Sequence, residues 1–443
     1  MRIPERALQF AELAKALDGD GLQQVLDVLA DIDDSRYLHW DEIRHRQPPH
    51  GLSHEQWWAA IKLGRERNAR PIDEFVSTTG ENFEYTLPDM VLEAVHLIDS
   101  QSRGSIGVHE PNMSRADRNR YMVSSLIEEA ITSSQLEGAA TTRKEAVAML
   151  RSGRKPQDQS ERMIVNNYLA MQEILKIAGQ ELTPDVVLNL HRILTLGTLK
   201  NPDACGRLQL PEEERVKVYD ERDNSVLHIP PPAELLPERL RLLCDFANGK
   251  TKAKGFLHPV IRAIVLHFWL AYDHPFEDGN GRTARALFYR AMLRSGYWLF
   301  EYLSISSLLK KAPGQYARSY LHTETDGNDL TYFIASQLRV IQLSLVALDK
   351  YLDRKQKEIQ EAESRILDSA WMNHRQRALV AHALRHPTHQ YTIESHRNSH
   401  RVAYATARAD LLALATRGML DQHKQGKKIV FVPNNKLAKL GAR

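Results

Sequence analysis

A polar loop, HPFEDGNGRTAR at residues 274–285, lies between two apolar segments and limits the folds that this chain can adopt. Before it, residues 259–272 are apolar nearly all round, which predicts a buried helix rather than a surface one. After it, residues 282–293 repeat apolar side chains at helical spacing, so the Gly-Asn-Gly at 279–281 opens a second helix. The sequence therefore predicts a helix–loop–helix at the centre of the fold.

The residues of this loop suit an anion. A helix start offers unpaired N–H groups and a positive dipole end, which together bind phosphate. Gly279 and Gly281 let a phosphate approach the backbone with no Cβ in the way. Arg282 and Arg285 are three residues apart, so they share a helix face and are expected to grip a polyphosphate jointly.

Two further residues of the loop suit chemistry. Asp278 lies beside the anion site, where phosphate would repel it unless a cation such as Mg²⁺ lies between. His274, with an ordinary pKa of about 6.5, is placed to accept a proton. A polar turn with a capping asparagine would explain Gly-Asn-Gly alone. A base, a metal carboxylate, an anion site and two arginines in one loop favour the chemical interpretation.

The loop resembles the signature of the Fic family, His-x-Phe-x-(Asp/Glu)-Gly-Asn-Gly-Arg-x-x-Arg, at every fixed position. His258, Pro259 and His267 also resemble the family's approach to this motif, and the one departure is Ala284, where glycine is common. The resemblance implies a mostly helical enzyme that moves AMP from ATP onto a protein hydroxyl.

The same resemblance implies a role for each residue of the loop. His274 would activate the target hydroxyl, and Asp278 would hold Mg²⁺. The α-phosphate would bind Asn280 and the N–H groups of the loop, including those of Gly279 and Gly281. The outer phosphates would bind Arg282 and Arg285, while Phe276 packs the loop onto the core.

A helix at about residues 115–138 ends in Ser133-Ser-Gln-Leu-Glu137-Gly138. By itself this is an ordinary acidic helix end. Beside the loop, it resembles the inhibitory motif of the Fic family, (Ser/Thr)-x-x-x-Glu-(Gly/Asn). The resemblance implies that Glu137, on the same helix face as Ser133, pairs with Arg285 and keeps it from the γ-phosphate of ATP.

Residues 215–229 alternate around a polar turn, which predicts a β-hairpin. A surface excursion would give the same pattern. The position also matches the flap of Fic proteins, which would hold a segment of the target protein by strand addition.

The C-terminal residues 371–443 hold 13 Lys+Arg and 3 Asp+Glu, a net charge of +10, whereas the whole chain carries only +3. Three helical patterns followed by a short hairpin predict a winged helix. Its basic charge suits DNA, and such modules also serve in protein docking; the sequence favours neither.

The fold expected is mainly α: an N-terminal helical domain at 1–95, a Fic catalytic domain with a hairpin flap at 96–355, and a connecting helix with a winged helix at 356–443. Two cysteines give no disulfide framework, so a reduced cytoplasm is expected. The N-terminus lacks the apolar core of a signal peptide, no stretch looks long and apolar enough to span a membrane, and no Walker A pattern occurs.

Two functions follow. The first is a protein adenylyltransferase that modifies a target protein or itself and is inhibited by Glu137. The second is a DNA-binding transcriptional regulator that uses the Fic core as a nucleotide sensor. His274 favours the first, because a sensor has no need of a base. The target protein, reverse removal of AMP and homo-oligomer formation are left open.

Overall fold

The structure is a computed structural model. It describes residues 2–102, 115–220, 222–250, 255–367, 369, 371–386, 389–425, 428–434 and 437. The chain divides into two compact units, Met1–Gly104 with Ser125–Ser344, and Ser105–Ser124 with Leu345–Arg443. The N-terminal helices and the helices around the loop thus share one unit, and the division into three domains at residues 95 and 355 remains a prediction.

The larger unit begins with helices around a tryptophan and a hairpin. These elements are α1 (Phe10–Ala16), α2 (Gly19–Val28), α3 (Trp40–Ile43), α4 (His54–Glu66), β1 (Arg70–Val76), β2 (Asn82–Tyr85) and α5 (Asp89–Ser102). Ser53 caps α4, accepting a hydrogen bond from the Gln56 N–H, as the sequence predicts. Trp58 is fully buried, so the tryptophan pair belongs to the core. The β1–β2 hairpin was not predicted.

Helices dominate the chain from residue 115 to 367. The elements are α6 (Arg115–Leu136), α7 (Arg143–Ser152), α8 (Gln159–Ile177), α9 (Pro184–Thr195), β3 (Val218–Tyr219), β4 (Val226–His228), α10 (Leu236–Ala247), α11 (Pro259–Asp273), α12 (Asn280–Arg294), α13 (Ser306–Leu309), α14 (Pro313–Thr325) and α15 (Thr331–Leu367). α11 is buried on nearly every face and packs on α10 and α12. Phe75 of β1 stacks on Trp269 of α11 with ring centroids 4.3 Å apart, which ties the N-terminal hairpin to the central helix.

One helix corrects the expectation about membrane-length segments. Among the described residues, Thr331–Arg354 within α15 is 24 residues long, with a mean hydropathy of 1.3, and is therefore long and apolar enough to cross a membrane. Within it, 56% of the most apolar window is buried inside the protein, which is also the behaviour of a core helix in a soluble fold.

The smaller unit ends in three helices and a small sheet. The elements are α16 (His374–Arg385), β5 (Tyr391–Thr392), α17 (Ile393–His400), α18 (Tyr404–Thr416), β6 (Leu420–Gln425) and β7 (Lys428–Pro433). The sheet is antiparallel in the order β5-β7-β6, with Phe431 opposite both Tyr391 and Gln422. This is the order of elements predicted for a winged helix. Lys427, in the predicted hairpin, lies outside the described residues.

Candidate active site

The side chain of Asn280 bridges the loop between α11 and α12. α11 ends at Asp273 and α12 begins at Asn280, as the sequence predicts. The Asn280 amide donates to the Phe276 carbonyl at 2.8 Å, and its oxygen accepts from the Phe276 N–H at 2.9 Å. The side chain of Asn280 therefore holds the loop in shape. The backbone N–H groups at the start of α12 are the part of the loop left to meet an anion.

His191 of α9 supports this loop from beneath and was not predicted from the sequence. Its ring stacks on Phe276 with centroids 3.8 Å apart and planes 7° apart. The Gly206 N–H donates to Nδ1 at 3.1 Å, so Nε2 carries the proton and donates to the Asp278 carbonyl at 2.9 Å. Burial lowers the pKa of His191 to about 4, which keeps the ring neutral. The one sequence signal was a histidine on the apolar face of a helix.

Gly279 is required by the same packing. It has φ 85°, a left-handed conformation that glycine adopts readily. A Cβ built there would lie 2.7 Å from Thr195 Cγ2, so a larger residue would push α9 away from the loop.

His274 is held in its neutral form. Its Nδ1 lies 3.3 Å from the Ala271 carbonyl, which can only accept, so Nε2 is the nitrogen left to take a proton. Burial, together with the charge of His228, lowers the pKa of His274 to about 4. This corrects the expected value near 6.5, because the sequence does not show that the ring is buried beside a second histidine.

The predicted flap is a short hairpin fastened to the end of α11. β3 and β4 pair antiparallel, and Glu221 in the predicted turn lies outside the described residues. His228 places Nδ1 2.7 Å from Glu324 Oε2 and Nε2 2.7 Å from the Tyr272 carbonyl. Although burial opposes the charged form, the Glu324 carboxylate raises the pKa of His228. Arg215 adds a hydrogen bond of 2.8 Å to the Asp273 carbonyl.

The two arginines of the loop have different partners. Arg282 is fully buried and donates to the Leu194 carbonyl at 3.0 Å and to Asp278 Oδ2 at 3.1 Å. Arg285 donates to residues of α6 and of the turn after it. The expected joint grip on a polyphosphate is therefore not the arrangement in this structure, because each guanidinium is drawn to a separate set of acceptors.

Arg285 is paired with Glu137. Nη2 lies 2.9 Å from Glu137 Oε1 and 2.9 Å from the Ser133 carbonyl, and Nε donates to Ser133 Oγ at 2.9 Å. Although burial opposes the charge, the Glu137 carboxylate raises the pKa of Arg285. A Cβ built on Gly281 would lie 2.2 Å from Glu137 Oε1. The carboxylate thus lies against the first turn of α12, where a phosphate would otherwise be expected.

Asp278 is the acidic side chain of the loop that a metal could reach. Its side chain is 50% exposed, and Oδ1 accepts from the Gly279 N–H at 2.6 Å. Within the described ranges, no group of three or more His, Cys, Asp or Glu could hold a metal alone. A single carboxylate fits Mg²⁺, which usually takes one or two carboxylates and fills its shell with phosphate oxygens and water.

Comparison with known proteins finds similarity to a single family. Residues 181–292 match the model of the Fic/DOC family. The chain is 32% identical over 139 residues to a protein adenylyltransferase Fic of Nematostella vectensis, covering 30% of this chain and 29% of that protein. It is 33% identical over 124 residues to protein adenylyltransferase fic-1 of Caenorhabditis elegans, covering 28% and 22%. The chain thus spans less than a third of the length of these curated relatives.

A solved structure shows the same fold. A Fic family protein from Desulfovibrio desulfuricans G20 superposes with a TM-score of 0.50 at 16% identity, covering 79% of this chain and 97% of that one. The predicted mainly helical, Fic-type fold is confirmed.

Proposed function

We propose that this protein transfers AMP from ATP to a hydroxyl side chain of a target protein or of itself, because residues 181–292 match the model of the Fic/DOC family. The observation that carries the proposal is the loop between α11 and α12. There a neutral histidine and the first turn of α12 lie within one short segment. These parts can take up a proton and hold a phosphate, as AMP transfer requires.

His274 would act as the general base. With a pKa of about 4 it is unprotonated at neutral pH, and Nε2 is the nitrogen able to accept. As the target oxygen bonds to the α-phosphorus of ATP, its proton passes to Nε2, the bond to pyrophosphate breaks, and AMP remains on the target. Such base catalysis contributes about two to four orders of magnitude in rate.

The start of α12 would bind the α-phosphate through its N–H groups, and Arg285 would bind the γ-phosphate once Glu137 releases it. Asp278 would hold Mg²⁺, which supplies positive charge against the phosphate oxygens. For this, Asp278 must share or exchange its contact with Arg282.

The hairpin β3–β4 would position the target protein. Tyr219 and Val226 are 48% and 37% exposed, so apolar surface remains on the strands. A target segment that adds to this hairpin would lie next to the end of α11, because His228 and Arg215 fasten the hairpin there.

Glu137 would inhibit the transfer in two ways. It holds Arg285 in an ion pair of 2.9 Å, and its carboxylate lies against Gly281 at the anion site. Glu137→Gly should therefore raise autolabelling with ATP well above the wild type, since positioning supplies most of the catalysis in phosphoryl-type transfers.

The matched control is Glu128→Gln, because Glu128 lies on the same helix and pairs with Arg143 at 2.8 Å. It should leave labelling unchanged. Adding Arg285→Ala to Glu137→Gly should cancel the gain, since both changes act through one contact. Unchanged labelling in Glu137→Gly would mean that Glu137 is only an acidic residue at a helix end.

A second candidate function is DNA binding by residues 371–443. In α18 the one acidic residue, Asp410, is buried and bonded to Arg375 at 2.7 Å, so the exposed side of the helix has no carboxylate. That side presents Tyr404 and Arg408, with Arg401 in the turn before it. A helix with this surface after a turn fits the reading position of a helix-turn-helix.

Fluorescence anisotropy of the full chain with a labelled duplex tests this function. Binding should fall steeply between about 50 and about 200 mM salt, and Arg408→Ala should weaken it. Arg417→Ala is the control, because Arg417 stacks on Trp371 at 4.0 Å. No binding at low salt would favour protein docking by the same residues.

The cytoplasmic setting remains part of the proposal. Cys205 and Cys244 are both free, as a reduced compartment would keep them. Assembly into a homo-oligomer also remains a prediction.

A further inference from the structure

A second carboxylate of the inhibitory helix is fully buried. Glu129 of α6 is 1% exposed and lies two turns before Glu137. Glu129, Ser133 and Glu137 are spaced by four residues, so Glu129 and Ser133 share one face of α6 and Glu137 follows in the turn directly after it. The catalytic proposal above gives Glu129 no role.

Glu129 is held by four hydrogen bonds from two other segments. Oε2 accepts from Tyr289 Oη at 2.9 Å, Ser304 Oγ at 3.0 Å and the Ser306 N–H at 3.0 Å. Oε1 accepts a short bond from Ser306 Oγ. All four donors are neutral groups, and the nearby positive charge of Arg285 adds an attraction, since Glu129 helps to raise the pKa of Arg285.

These contacts align two helices. The pairs are Glu129 with Tyr289, Ser133 with Arg285, and Glu137 with Gly281. From one pair to the next, the residue number increases by four along α6 and decreases by four along α12. The two helices therefore run antiparallel. A slip of α6 along α12 would break all three contacts together.

A buried polar group such as Glu129 can specify one packing arrangement over others even where its net contribution to the free energy of folding is small. Its four donors come from fixed positions: Tyr289 on α12, and Ser304 and Ser306 in the segment before α13 and at its start. They therefore define where α6 lies along α12. Ser125, one turn earlier, adds a bond of 2.9 Å to the Tyr302 carbonyl.

We propose that Glu129 is a positioning residue that sets the register of the inhibitory helix, so that Glu137 meets Arg285. This inference rests on the proposed inhibition by Glu137. It assigns the strength of inhibition to a contact that touches neither nucleotide nor base. A partner that competes for the 302–306 segment would release inhibition without entering the active site.

The test compares Glu129→Gln with the wild type by hydrogen exchange and by autolabelling with ATP. The amide group of Gln turns one acceptor into a donor that faces the donors on Tyr289 and Ser306. Exchange of residues 125–138 should become faster, and labelling should rise roughly tenfold, as for loss of a hydrogen bond to a charged group. Adding Glu129→Gln to Glu137→Gly should not raise labelling further, because both changes act through Arg285.

Tyr289→Phe is the second variant, since it removes one donor and keeps both bonds from Ser306. It should give a smaller gain of the same sign. If Glu129→Gln makes exchange faster but only Glu137→Gly raises labelling, this inference is wrong and the inhibition by Glu137 still stands. If exchange becomes faster but neither Glu129→Gln nor Glu137→Gly raises labelling, both the proposed inhibition by Glu137 and this inference are wrong. Unchanged exchange in Glu129→Gln would show that Glu129 does not hold the helix.

Discussion

His274 shows how the environment of one residue suits it to be a base. Its ring is neutral at physiological pH because burial and the charge of His228 oppose protonation. A base with a low pKa is weaker than a free histidine, but nearly all of it is in the accepting form at pH 7. The nearby phosphates of ATP would strengthen it by favouring the imidazolium during transfer.

We expect kcat/KM of the Glu137→Gly variant to stay flat from pH 8 down to about pH 5. A base must be unprotonated, and protonation of His274 begins only as the pH approaches its pKa of about 4. NMR titration of His274, assigned with His274→Ala, should show the same value. His228→Asn removes a neighbouring charge, so it should move that pKa upward. A rate that halves near pH 6.5 in Glu137→Gly would contradict this account.

Among the elements, α9 matters more to the site than its sequence suggests. It contributes no group to the anion site, yet His191 and Thr195 pack beneath the loop. The loop's shape is thus fixed both by its own Asn280 and by a neighbouring helix. A loop held on two sides keeps its N–H groups in place before a phosphate arrives.

His191→Phe, made in the Glu137→Gly variant, should lower kcat about tenfold or more with a small change in KM for ATP. The phenyl ring keeps the stack on Phe276 but loses the hydrogen bonds to Asp278 and Gly206, and small shifts of a catalytic loop are costly. His39→Phe is the control, because His39 is also buried and stacks on His322 at 4.4 Å. An equal loss of kcat in both variants would indicate general destabilisation.

In the larger unit as a whole, buried charges join the N-terminal helices to the region before α15. Lys62 Nζ lies 3.0 Å from Asp326 Oδ1, and Tyr332 Oη donates to Asp326 at 2.7 Å. Arg65 meets Asp34 at 2.7 Å. Breaking one partner of such a network leaves a buried charge alone, so these contacts specify how the N-terminal helices dock.

Glu84 lies at the edge of this network and makes stability depend on pH. Burial, followed by the Asp329 carboxylate, raises its pKa from 4.5 to about 7. A raised carboxyl pKa destabilises the fold as the pH rises above 4.5, and the penalty is complete above about pH 7. Glu84→Gln should therefore raise Tm by a few degrees at pH 8 and by less near pH 5. As a control, Glu93→Gln at an exposed position should leave Tm unchanged at both pH values. Equal Tm gains from Glu84→Gln at pH 8 and at pH 5 would contradict the raised pKa of Glu84.

The resemblance to the Fic family predicted that Arg285 pairs with Glu137, whereas the amino-acid sequence alone predicts the loop, its two helices and the helix face shared by Ser133 and Glu137. These features depend on local order: apolar periodicity predicts the helices, and the spacing of Ser133 and Glu137 predicts one helix face. The C-terminal helices and strands were also predictable, since each has its own periodicity and turn.

The tertiary structure was needed to reveal the neutral state of His274, the partners of Arg282, and the supporting roles of His191 and Glu129. Each depends on residues far away in the chain, such as His228 beside His274 and Ser306 beside Glu129. Burial and the approach of distant charges set pKa values and hydrogen-bond partners, and no local pattern encodes which distant side chains will meet.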